Sequence, residues 1–123
     1  MNMRELIKSI LILANAVFSE EKKKNRYLFV AGFKKEDLSI CVGFDYLDRL
    51  YNDERDTYRN DIIVNPDNWD SNESINLRYD FKKDRFLSQI IYADTGEASE
   101  FKDEDMLNRI YDALKCIAKE LKI

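Results

Sequence analysis

Residues 75–81, "INLRYDF", alternate apolar and polar without a break. Successive side chains of a strand point to opposite faces. Ile75, Leu77, Tyr79 and Phe81 must therefore share one face, and Asn76, Arg78 and Asp80 the other. Such a strand needs a cover for its apolar face alone, which excludes a parallel sheet buried on both sides. Residues 38–44, "LSICVGF", repeat the rule: Leu38, Ile40, Val42 and Phe44 alternate with Ser39, Cys41 and Gly43. The chain must then supply something amphipathic to lie on the apolar face.

Two segments qualify. Near the N-terminus, Met3, Leu6, Ile7, Ile10, Leu13, Ala14, Val17 and Phe18 form one stripe at helical spacing, with Arg4, Lys8 and Asn15 opposite and Ile12 out of place. Arg4 and Lys8 ahead of an apolar run imitate a secretion signal, but the run is short and Glu5 interrupts the basic part, so the segment reads as a core helix. It is also too short to span a bilayer. Residues 102–122 form the second helix. Asp103, Glu104 and Asp105 stand at its start and Lys115, Lys119 and Lys122 near its end, both matching the helix dipole. Leu107, Ile110, Tyr111, Leu114, Ile117, Ala118 and Leu121 form its buried stripe, and Cys116 falls on the other side.

Further strands are expected at 26–33, 61–64 (ended by Pro66) and 85–92, and a helix over 45–58, where Leu47, Leu50, Tyr51 and Tyr58 recur at helical spacing. "ADTGE", residues 93–97, reads as a turn. "FKKEDLSI" and "FKKDRFLSQI" share turn chemistry. The predicted order is α-β-β-α-β-β-β-α. The fold class is α+β: an antiparallel five-stranded sheet with helices packed mainly on one face. With 123 residues, one proline and three glycines, the chain reads as a single domain over 1–123.

There is no histidine, which removes histidine-based triads, His-ligated zinc and the usual proton shuttle. Three glycines cannot make a phosphate-binding loop. No cofactor is expected. Cys41 and Cys116 are too few for a disulfide framework and read as inert thiols of a cytoplasmic protein.

Charge is unevenly placed. Residues 45–80 carry four basic and ten acidic side chains, a net of −6, in a chain of net −4. Asp45–Asp61 alone holds six carboxylates, three arginines and three tyrosines. An acidic middle repels phosphates, so direct nucleic-acid binding is not expected. A protein with a basic surface is the expected partner. In that reading Asp45, Asp48, Asp53, Glu54 and Asp56 supply charge, while Tyr51, Tyr58 and Trp69 supply packing. The compact, acidic profile without catalytic groups resembles that of small inhibitor or immunity proteins, which blunt a toxin or a nucleic-acid-processing enzyme.

Two other readings stand beside it. Element order, size and acidic balance are broadly similar to small α+β secretion chaperones, which implies a homodimeric chaperone or scaffold. Pro66-Asp67 followed by Asp80-x-Lys82 resembles the PD-(D/E)xK nuclease motif. That resemblance implies two acids on a divalent metal and a lysine helping to activate water. A calcium loop at Asp70, Asn72 and Ser74 lacks the glycine and the final glutamate such a loop needs.

Overall fold

A computed structural model of the chain describes residues 1–22, 31–42 and 61–123. Helix α1 spans Met3–Lys22. Strands follow at β1 (Ala31–Lys35), β2 (Leu38–Val42), β3 (Asp61–Pro66), β4 (Glu73–Asp80), β5 (Arg85–Tyr92) and β6 (Ala98–Glu100), and helix α2 spans Glu104–Glu120. The strands form one antiparallel sheet in simple sequence order, β1-β2-β3-β4-β5-β6. The class is α+β, as expected, but the sheet has six strands rather than five. The expected helix over 45–58 lies outside the described residues, as does most of the expected strand at 26–33.

The sixth strand is the correction. Ala98, Ser99 and Glu100 are all exposed and carry no apolar alternation, so nothing in their side chains announces a strand. They are ordered by the backbone ladder to Gln89, Ile90 and Ile91. The buried Phe101 side chain anchors the end of the strand. Its amide donates to Ser88 O at 3.0 Å, and Ser88 Oγ donates back to Phe101 O at 2.9 Å. A second departure is Pro66, which closes β3 from inside, opposite Leu38. Pro66 lies beyond the β3–β4 pairing, which ends at Val64, so its missing N–H costs no ladder bond to β4.

Register explains the core. Residues directly opposite across an antiparallel pair share a face. Ile40, Val64, Ile75 and Ile90 form one such row, and Val42, Ile62, Leu77 and Ser88 the next. Both helices cover this face. Leu6, Ile7, Ile10, Leu11 and Ala14 of α1, and Ile110, Ala113, Leu114, Ile117 and Ala118 of α2, join the inward strand residues in one buried cluster. Each fully buried Ile or Leu contributes about 1.5–3 kcal/mol. Ile12, the misplaced residue of the α1 stripe, is half exposed. At the start of α2, Asp103 caps the helix by accepting a hydrogen bond from the Met106 amide.

The opposite sheet face is mixed. Asn76 lies there, 2 % exposed, with Ile63 and Gln89 directly across on its two neighbours. Its amide donates to Asp61 Oδ2 at 3.2 Å and its Oδ1 accepts from Ser74 Oγ at 3.2 Å. Among the described residues no helix is long and apolar enough to cross a membrane.

Candidate functional site

A meander places alternate turns at opposite ends of its sheet. The β1–β2, β3–β4 and β5–β6 turns share one end, and the β4–β5 turn lies at the other. The acids of the middle of the chain follow that division. Asp67, Asp70 and Glu73 lie in or beside the β3–β4 turn, and Asp94 and Glu97 in the β5–β6 turn. Neither turn holds a basic residue.

Asn72 holds the two turns together. Its Nδ2 donates to Asp94 Oδ1 at 3.0 Å, and its Oδ1 accepts from the Asp94 amide at 2.8 Å. The Ala93 amide also donates to Asn72 O at 2.8 Å. Within the β3–β4 turn, Asp70 Oδ1 accepts from the Asn72 amide at 2.9 Å, an Asx turn that presets the bend. Asp67 pairs with Lys34. Asp70, Glu73, Asp94 and Glu97 make no ion pair among the described residues. The result is an acidic rim on a braced pair of turns. Asp67, Asp70 and Glu73 were legible as part of a sequence run. Asp94 and Glu97 were not, because the sheet rather than the chain brings them in.

Trp69 belongs to the same turn, its amide donating to Pro66 O at 3.1 Å. Its ring turns inward, partly buried against the core, with an edge-on contact to Phe101 at 6.0 Å between centroids. It therefore braces the rim from beneath and leaves part of its surface to solvent. The other partner-binding candidates, Asp45, Asp48, Tyr51, Asp53, Glu54, Asp56 and Tyr58, lie outside the described residues.

The nuclease-like residues are not brought together. Asp67 follows the end of β3, whereas Asp80 ends β4 at the far side of the sheet. The eight-residue β4 between those ends is roughly 25 Å long at about 3.3 Å per residue. Asp67 is paired with Lys34, and Asp80 Oδ1 accepts from the Lys82 and Lys83 amides, closing the β4–β5 turn. Two carboxylates that share a metal must lie within a few ångströms of each other. Among the described residues no group of three or more Cys, Asp or Glu side chains is placed to hold a metal ion. The Asp70, Asn72 and Ser74 oxygens are likewise engaged in turn and sheet bonds.

A shallow cleft of about 230 Å³ lies between α2 and the β1–β2 turn, lined by Lys35, Glu36, Leu38, Arg109, Asp112, Ala113 and Cys116. Its cations are already engaged: Lys35 pairs with Glu120 and Arg109 with Asp37. Asp112 lies 3.0 Å from Lys115. The hydrogen bond and charge of Asp112 hold the Lys115 ammonium above its ordinary range. Cys116 is a free, exposed thiol, and Cys41 a free, half-buried one. Nothing in this cleft gathers an uncompensated charge or a base beside the thiol.

Comparison with family models, with curated proteins and with solved structures finds no match to this chain.

Proposed function

We propose that the chain is a small non-catalytic binding protein that masks a basic site on a partner protein, in the manner of an inhibitor or immunity protein. The observation that carries this reading is the acidic rim. Five carboxylates stand on or beside two turns that Asn72 braces together, and among the described residues only Lys34 pairs with any of them. Asp70 and Asp94 are held by turn hydrogen bonds, so docking costs them little further ordering, and an acidic rim favours rapid association with a basic surface. Asp67 and Asp80 stand too far apart for shared metal chemistry, which weakens the enzyme alternative.

The test is capture of partners from host lysate by the wild-type chain and by Asp70→Lys/Asp94→Lys, with identification of what elutes. The wild type should retain a dominant basic protein that high salt releases, and the charge-reversed variant should lose it. Equal retention by both chains would overturn the reading.

A homodimeric scaffold is the second reading. It is favoured by Ile63, Leu87 and Ile91, which stand half-buried on the sheet face away from the helices. A closed dimer whose mass is insensitive to salt, lost on Ile91→Lys, would support it over the first.

A further inference from the structure

The β4–β5 turn gathers the opposite charge. Lys82, Lys83 and Arg85 are exposed in or beside it and make no ion pair among the described residues. The first turns of α1 bring Arg4 and Lys8 to the same place. Arg4 Nη2 lies 2.7 Å from Asp84 Oδ2 and donates to Asp84 O at 2.9 Å, while Lys8 Nζ lies 3.6 Å from Asp84 Oδ1. Five basic groups thus surround two carboxylates, Asp80 and Asp84. Counting Glu5 of the same helical turn, the set is still net +2 (5 − 3). No stretch of sequence shows this patch, because its two halves lie some eighty positions apart.

The patch is built rather than loose. Arg4 and Lys8 both lie over the face of the buried Tyr79 ring, at 5.9 and 5.4 Å from its centroid. A cation over an aromatic face is attracted by the ring quadrupole. Phe81 supports that ring edge-on at 5.0 Å. Asp80 fixes the turn by capping two successive amides. Cations held this way pay little ordering cost when an anionic surface arrives.

We propose that this basic patch docks the acidic rim of a second copy of the chain. The two surfaces lie at opposite ends of the same sheet, separated by the length of β4 and β5. They are opposite in sign, and the turns that carry them are fixed by the hydrogen bonds of Asn72 at one end and Asp80 at the other. A contact between unlike ends is heterologous: each copy keeps a free rim and a free patch, so association extends beyond a pair unless it closes into a ring. The rim is the surface assigned above to the partner, so the inference rests on that reading, and a basic partner competes with self-association.

The experiment is sedimentation velocity of the purified full chain, wild type and two variants, with no partner present. At roughly 0.01 M salt, where the screening length is about 30 Å, the wild type should form concentration-dependent species larger than a dimer. At roughly 1 M salt, where that length is about 3 Å, it should be monomeric. Lys82→Glu/Lys83→Glu and Asp70→Lys/Asp94→Lys should each associate about tenfold more weakly or worse. Mixed in equal amounts, the two variants should associate again, since one retains its acidic rim and the other its basic patch. That association also shows that both variants are folded. A wild type that stays monomeric at every salt concentration, or assemblies indifferent to Lys82→Glu/Lys83→Glu, would overturn the proposal. Lys82→Glu/Lys83→Glu leaves the rim intact, so its capture of a basic partner should persist. A wild type that self-assembles but captures no basic partner would count against the proposed function instead.

Discussion

Asn76 shows how much one polar side chain can hold. It is almost fully buried on a sheet face that carries Ile63 and Leu87, and its amide donates to the buried carboxylate of Asp61. A buried acceptor that loses a donor retains its desolvation cost. Asn76→Ala should therefore lower stability by about 1–3 kcal/mol, seen as a lower urea midpoint with an unchanged slope. Asn76→Asp should cost more at neutral pH, because it sets a second carboxylate beside Asp61. Its deficit relative to wild type should shrink as pH falls and carboxylates become protonated, a trend that unfolding curves across the acid range would check. The alternation of 75–81 placed Asn76 on the outward face, but its burial was not legible. Period two reports which face a residue occupies, not whether that face is wet.

At the scale of elements, sequence and structure agree where side chains carry the signal. The alternation of β2 and β4 and the dipole-matched α2 could be read directly, and so could most of the α1 stripe, although Leu11, outside the expected stripe, is fully buried and Leu13, inside it, only partly so. They disagree at β6, where only the backbone ladder creates the strand. Phe101 is the one apolar residue that betrays it. Phe101→Ala should cost about 3–5 kcal/mol and release β6 from β5. Trp69 is the only tryptophan and rests edge-on against that ring, so its emission should shift to longer wavelength in the folded variant. An unshifted spectrum would contradict the contact. In α2, Leu114→Ala should cost about 2–5 kcal/mol, against about 1 kcal/mol for loss of the Asp103 cap. Chemical denaturation of the two variants side by side would verify that order.

At the scale of the molecule, the sequence shows an acidic middle but not that the described structure has a negative end and a positive end. Asp94 and Glu97 join Asp67, Asp70 and Glu73 only because strands 4 and 5 return the chain to the same rim. Arg4 and Lys8 meet Lys82, Lys83 and Arg85 only because α1 packs on the sheet beside the β4–β5 turn. Partner affinity should fall at least about tenfold between low and high salt, mostly through slower association. Trp69 emission titrated at the two salt concentrations would measure this, and a salt-independent affinity would exclude a rim driven by charge.

Strands that pair only with their neighbours in sequence can zip together as they are made, but α1 cannot join them early. Its apolar stripe is buried by β2, β3 and β4 and by α2, which is made only after all six strands. At about 5–20 residues per second, Leu6, Ile7 and Ile10 wait roughly 5–20 s between leaving the ribosome and meeting their final cover. For that interval the nascent chain carries an apolar helix without its cover, the kind of segment that nascent-chain chaperones hold. Production of this protein should therefore depend on such helpers more than its small size and simple strand order suggest.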